Sequence, residues 1–242
     1  MRNYKDEFER RVSFIKDLLQ GAGAAGVVYG NSGGKDSALV GILCKAVCEN
    51  TKGIILPCSS KQNFTSDMDD GIAVAKQFDI ETQVIDLTAQ RELLVKSLGD
   101  VTAITDTALS NIAPRLRMIT LYAVAASENR MVAGTGNRSE RHMGYFTKWG
   151  DGACDFNPIS DLTATEVFEF LRYLKAPMSI IEKPPSAGLY EGQTDEKDMG
   201  VTYRAIDEYL ETGKADPADL EIIQRYHRGS AHKRDGIRFY AE

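Results

Sequence analysis

Apolar positions near the N-terminus change period in a way that separates helix from strand. Phe8, Val12, Ile15 and Leu19 recur at helical spacing with charges between them, which predicts an amphipathic helix over residues 4–20 ending near Gly21. The run that follows, GVVY at 26–29, is too short for a helix and leads straight into a glycine-rich turn, so it reads as a first buried strand. A helix is expected over 36–49, and the alternation then repeats: strand 53–56, helix 66–78, strand 82–85, helices over 89–98 and 109–127, and strand 130–133. Strand and helix in turn imply parallel βαβ units with right-handed crossovers, that is, an α/β doubly wound, mostly parallel sheet with helices on both faces. In such sheets ligands bind at the carboxyl ends of the strands, which here are Gly30, Pro57 and Gly134.

Beyond residue 140 the pattern weakens. A glycine- and aspartate-rich segment runs to Asp155, and a helix over 163–174 opens with the capping box Thr163-x-x-Glu166. A loop is expected over 183–195, then helices near 202–210 and 217–226, then a basic tail. Residues 1–242 contain no repeat, linker or low-complexity tract and read as a single domain.

Charge and cysteine content narrow the class. With 29 basic and 35 acidic residues the surface as a whole repels nucleic acid and anionic membrane, so an anionic ligand needs a local basic cluster. Arg225, Arg228, Lys233, Arg234 and Arg238, with Asp235 as the one acid among them, form such a cluster in the tail. No signal peptide or apolar span is evident, so the chain reads as cytoplasmic. Cys44, Cys48, Cys58 and Cys154 form no CxxC pair and no zinc pattern with His142, His227 and His232; reduced structural thiols are expected.

The chemistry begins at GNSGGKDS, residues Gly30, Asn31, Ser32, Gly33, Gly34, Lys35, Asp36 and Ser37. Between a buried strand and a helix, consecutive backbone N–H groups and the helix N-terminus converge on one anion, which makes this a phosphate site. It is not a Walker loop, because the residue after Lys35 is an aspartate and the first Walker glycine would fall at Tyr29. A carboxylate beside bound phosphates requires a magnesium ion between them. The Ser-Gly-Gly-x-Asp-Ser string resembles the signature of the ATP pyrophosphatase superfamily, with its adenine nucleotide alpha hydrolase-like fold, whose members grip the pyrophosphate of ATP and transfer AMP to a substrate oxygen.

Later motifs narrow the resemblance. NIAPRLRMITLY at 111–122, GTGNRSE at 134–140, GYFTKWGDG at 144–152 followed by Asp155 and Asn157-Pro-Ile159, KPPSAGL at 183–189, QTDE at 193–196, GVTY at 200–203 and HKR at 232–234 resemble, in order, those of ammonia-dependent NAD synthetases. The resemblance implies ATP-dependent amidation of deamido-NAD by ammonia through an acyl adenylate, giving NAD, AMP and pyrophosphate. It implies that Gly30 to Ser37, Thr135 and Ser186 bind ATP, and that Asp36 and Glu140 hold Mg²⁺. Arg115, Tyr122, Lys148, Asp155, His232 and Lys233 are implied to hold deamido-NAD, with Asp36, Lys148 and Asp155 as the catalytic set. Homodimers with the deamido-NAD site at the subunit interface are typical of such enzymes. The chain offers no room for an amide-hydrolysing domain, so ammonia is the expected nitrogen donor.

An adenylate needs shielding from water, and segments 58–64 and 183–195 are candidate lids. No side-chain nucleophile is required, in keeping with the lack of a Ser-His-Asp or Cys-His set. One departure stands out: where family members commonly carry a lysine credited to the ATP phosphates, this chain has Ala164, and Lys35 or Lys183 is the candidate replacement. Two other readings share the loop, a tRNA-modifying ATP pyrophosphatase and a non-catalytic nucleotide sensor. The first calls for a broad basic surface and catalytic cysteines that the chain does not offer.

Overall fold

The computed structural model describes residues 2–58, 64–183, 185–186, 194–237 and 239–240. In chain order the elements are α1 (Tyr4–Ala22), β1 (Gly26–Gly30), α2 (Lys35–Val47), β2 (Thr51–Ile55), α3 (Ser66–Gln77), β3 (Glu81–Val84), α4 (Thr88–Gly99), α5 (Asp106–Ser110), α6 (Ile112–Glu128) and β4 (Arg130–Val132). They continue with α7 (Arg138–Met143), α8 (Ala164–Tyr173), α9 (Met178–Ile181), α10 (Asp195–Met199), α11 (Tyr203–Thr212), α12 (Pro217–Gly229) and α13 (Ala231–Arg234).

The four strands form one sheet in the order β3-β2-β1-β4, every pairing parallel, with Val27 opposite Thr51 on one side of β1 and Met131 on the other. Strand alternation sends neighbouring side chains to opposite faces. Val27 and Tyr29 accordingly join the cluster with Ile15, Leu39, Leu43, Phe170 and Leu171 from α1, α2 and α8. Val28 and Ile54 join the opposite cluster with Leu87, Ala113 and Ala125 beneath α6. A third cluster, built on Met143, Met199, Tyr203, Ile206 and Ile223, packs α7, α10, α11 and α12 together beside the sheet layer. The doubly wound parallel arrangement expected from the alternating pattern is present.

Differences from the expected elements have local causes. Helix α1 continues to Ala22 because Gly23, not Gly21, takes the left-handed conformation (φ 61°) and donates its N–H to the carbonyls of Gln20 and Leu19. The helix expected over 109–127 is broken at Asn111 into α5 and α6; Pro114 lies in the first turn of α6, where a missing N–H removes no helical hydrogen bond. Helix α7 falls inside the segment with no clear pattern, and the basic tail folds in part as α12 and α13. Cys44 is buried in the core and all four cysteines are free thiols.

Candidate active site

The order 3-2-1-4 means the chain leaves β1 in one direction along the sheet for β2 and returns on the other side at β4. Loops after β1 and β4 therefore diverge and leave a crevice at the carboxyl ends of both strands. A pocket of about 930 Å³ opens there, and its lining includes Gly30, Asn31, Ser32, Gly34, Lys35, Asp36, Ser37, Thr135, Glu140, Ser186 and Lys233.

The loop after β1 is shaped for an anion. Gly34 caps α2 without a side-chain hydrogen bond, which leaves the first-turn N–H groups directed at the pocket. Ser37 Oγ donates to the Gly34 carbonyl at 3.0 Å and lies 3.1 Å from Ser32 Oγ, while the Gly34 N–H donates to Ser32 Oγ. Gly33 does not line the pocket; its role is the turn itself. It sits at φ 72°, and a Cβ there would fall 2.0 Å from the Asp67 carbonyl oxygen, so only glycine fits. Asn31 donates to the Gly71 carbonyl at 2.9 Å and ties the loop to α3.

Lys35, the motif's variable residue, is 6% exposed. Its ammonium donates to Asp36 Oδ2, stands 3.9 Å from Glu140 Oε1, and lies 5.7 and 5.4 Å from the ring centres of Phe168 and Tyr203. Burial disfavours this charge, but the Asp36 and Glu140 carboxylates outweigh it and hold the Lys35 pKa above its ordinary value. The Glu140 pKa moves up as well, here because burial, with the Asp36 charge beside it, disfavours the carboxylate and pushes the group well above the usual range. The Asp195 charge acts on both groups, and Asp195 accepts from the Tyr203 hydroxyl at 2.9 Å.

Asn137, which sequence reasoning passed over, joins these groups. It is fully buried and caps α7 through a reciprocal box, its Oδ1 accepting the Glu140 N–H at 3.0 Å and its own N–H donating to Glu140 Oε2 at 3.1 Å. Its side-chain amide donates to Asp36 Oδ1 at 3.1 Å. The sequence signal was the box Asn137-x-x-Glu140. Arg117 was likewise missed; it lines the pocket, donates to the Leu56 carbonyl at 3.0 Å, and burial lowers its pKa.

Asp36 and Glu140 suit a divalent ion. Among the described residues no group of three or more His, Cys, Asp or Glu is arranged to hold a metal by itself. Two carboxylates are a set that magnesium could use, since that ion keeps several waters and needs few protein ligands.

The residues expected to hold the second substrate divide. Lys233 lines the pocket, but its ammonium donates to the Gly144 and Phe146 carbonyls, both at 2.7 Å, and so also fixes the 144–152 loop. Arg115 donates to the Lys148 carbonyl at 3.3 Å and Lys148 to the His232 carbonyl at 2.5 Å, a chain flanking the lining residues Pro114, Thr147 and Lys233. Asp155 and Tyr122 lie outside this lining. Asp155 accepts the Val132 N–H at 2.7 Å and the Tyr122 hydroxyl at 3.1 Å, so it braces β4 against α6. Of the basic tail, Arg225 lines the pocket, Arg234 is spent on Ser230 Oγ and the carbonyls of His142 and His227, and Arg238 lies outside the described residues.

His142 stacks on His227 with ring centres 4.1 Å apart, away from the lining. Most of both candidate lids, 59–63 and 187–193, lies outside the described residues. Lys183 pairs with Asp67 and Asp70 at 2.8 and 2.6 Å. Of the two candidate replacements for a lysine at Ala164, Lys35 is the one whose ammonium meets that helix: Phe168 lies one turn on from Ala164 in α8.

A family model described as NAD synthase matches residues 7–235. The chain is 46% identical over 235 residues to an NH3-dependent NAD(+) synthetase of Carboxydothermus hydrogenoformans, covering 96% of each. Among solved structures it is similar to an NMN synthetase from Francisella tularensis (TM-score 0.94, 38% identity, 99% of each chain). It is also similar to an NH3-dependent NAD synthetase from Campylobacter jejuni (TM-score 0.81, 28% identity, 100% of each).

Proposed function

The chain belongs to the NAD synthase family, and from that premise we propose how its pocket carries out the ATP-dependent amidation of deamido-NAD by ammonia to NAD, AMP and pyrophosphate. The chain is a carbon–nitrogen ligase of the ammonia-dependent kind. The observation that carries the mechanism is the convergence, at the end of β1, of an uncapped helix N-terminus with Lys35, Asp36 and Glu140.

A carboxylate and ammonia do not condense in water at a useful rate, because oxide would have to leave. Adenylation replaces oxide by AMP. In the first step the nicotinate carboxylate attacks the α-phosphorus while charge builds on the departing pyrophosphate, so fixed donors are the expected source of rate. The first-turn backbone amides of α2, at Lys35, Asp36 and Ser37, supply them, and Thr135 and Ser186, both on the lining, orient the nucleotide. Asp36 and Glu140 would hold Mg²⁺, which would neutralise the charge developing on the phosphate oxygens. Lys233, Arg225 and the Arg115–Lys148–His232 chain provide the positive surface for the second nucleotide, whose ring carboxylate must reach the α-phosphorus. Ammonia then displaces AMP, and positioning of the three reactants does most of the remaining work.

Homodimerisation is part of the same proposal. Ile119 on α6 is 58% exposed and Leu93 on α4 is 67% exposed, two packed helices presenting apolar side chains outward. Tyr122 lies one turn from Ile119, so Tyr122 and Asp155 would meet deamido-NAD at the subunit interface rather than in the protomer's own pocket. We take residues 1–242 as one catalytic domain, resident in the cytoplasm, in keeping with four free thiols. Among the described residues no helix is long and apolar enough to cross a membrane.

The likeness to an NMN synthetase motivates a second reading, in which the same ring carboxylate is amidated on nicotinate mononucleotide. Incubation with Mg-ATP and ammonium and either deamido-NAD or nicotinate mononucleotide decides between them. The expected result is AMP and NAD formed with the higher kcat/KM on the dinucleotide. A preference for the mononucleotide would establish the second reading, and no AMP with either would overturn both.

A further inference from the structure

Lys35 is the first residue of α2, and helical side chains tilt toward the N-terminal end, so its buried stem directs the ammonium back into the pocket at the place where the loop amides gather an anion. There it meets two acids. It donates to Asp36 Oδ2, faces Glu140 Oε1 at 3.9 Å and is bracketed by Phe168 and Tyr203. The two acids are themselves fixed: Asn137 holds Asp36 Oδ1 through its amide and Glu140 Oε2 through its backbone N–H. The oxygens left toward the pocket, Asp36 Oδ2 and Glu140 Oε1, are the ones the ammonium faces.

A divalent ion shared by the same two oxygens could not coexist with an ammonium at that distance, since the two cations would repel at close range in a poorly solvated site. We propose that Lys35 is the resident cation of the Asp36–Glu140 pair, and that the divalent ion arriving with ATP displaces its ammonium onto the phosphates. A lysine suits such an exchange because it is a compact charge on a flexible stem. The acids are then never left uncompensated, and metal is held firmly only when a nucleotide is present to receive the ammonium. Metal and nucleotide binding are thereby coupled, each strengthening the other by the same factor.

This inference rests on the use of a divalent ion with ATP, but its test does not depend on which carboxylate is amidated. Mn²⁺ is titrated into the full chain by calorimetry or by the spectroscopic signal of the free ion, with and without a non-hydrolysable ATP analogue. The wild-type protein is expected to bind Mn²⁺ at least ~10-fold more tightly with the analogue, the range typical of coupled sites. Lys35→Met, or Lys35→Gln should the first fold poorly, is expected to bind Mn²⁺ at least ~10-fold more tightly than wild type without nucleotide and to show a smaller effect of the analogue. The double variant Lys35→Met/Glu140→Gln should lose that gain. Equal or weaker nucleotide-free Mn²⁺ binding by the Lys35 variants, or a wild-type affinity indifferent to the analogue, overturns the proposal. NAD formation by the wild type, measured separately, reports on the ligase reading alone.

Discussion

Asp36 carries the most specific demand in the pocket: it faces Lys35 with one oxygen and the Asn137 amide with the other. Asp36→Asn keeps the shape and removes the charge. Its kcat for NAD formation is expected to fall at least ~100-fold, the scale on which loss of one element of preorganised transition-state stabilisation is felt. Near-normal turnover would remove Asp36 from the mechanism. His142 makes the opposite case, a residue whose chemistry is spent on structure. Burial, helped by His227 on α12, Arg234 on α13 and Arg138 on its own helix, lowers its pKa to about 4. The folded protein therefore prefers the neutral ring, while the unfolded chain takes up a proton near the ordinary value of about 6.5. Stability tied to His142 is present above about pH 6.5 and is lost as the pH falls toward 4. In His142→Gln the unfolding temperature should decline less steeply over that window. An identical slope in both proteins would assign the acid sensitivity elsewhere.

At the scale of elements, two helices begin with the same device but different duties. Thr163 caps α8 and Asn137 caps α7, each in a reciprocal box with the glutamate three residues on. Thr163→Ala should cost about 1 kcal/mol of stability, the usual loss of a cap, with kcat little changed. Asn137→Ala should cost at least that, since Asn137 is fully buried, and should also lower kcat, because the amide that orients Asp36 is lost with the cap. Parallel unfolding and kinetic measurements check the contrast, and equal kinetic effects would contradict it. The two boxes also show what the sequence makes legible. Thr163-x-x-Glu166 precedes a helix long enough to display an apolar face, and was readable. Asn137-x-x-Glu140 opens six residues between a strand and a glycine, too few turns for a period to show, so α7 was not.

For the whole molecule, the sheet places the two halves of the pocket on either side of one switch point, and the apolar faces of α4 and α6 point outward from it. If those faces meet in a symmetric dimer, Ile119→Asp should give a monomer by sedimentation velocity, with the KM for deamido-NAD raised more than the KM for ATP, whose proposed loop lies within one protomer. A dimer unchanged by this substitution would place the interface on another surface.

The alternation of short apolar runs with amphipathic stretches determined the parallel sheet, because strand and helix periods are local properties of the chain. The glycine-rich turn between β1 and α2 was legible for the same reason, since adjacent residues supply both the turn and the helix start. Only the tertiary structure decided what the loop's side chains do. The motif is indifferent to the residue at position 35, and the destination of its ammonium depends on Glu140, Phe168 and Tyr203, which come from α7, α8 and α11. Likewise Asp155, adjacent in sequence to the 144–152 loop, is drawn out of the pocket by hydrogen bonds to Val132 and Tyr122. Burial and long-range charge are properties of the packed molecule, and they set which acids face the pocket and which brace the sheet.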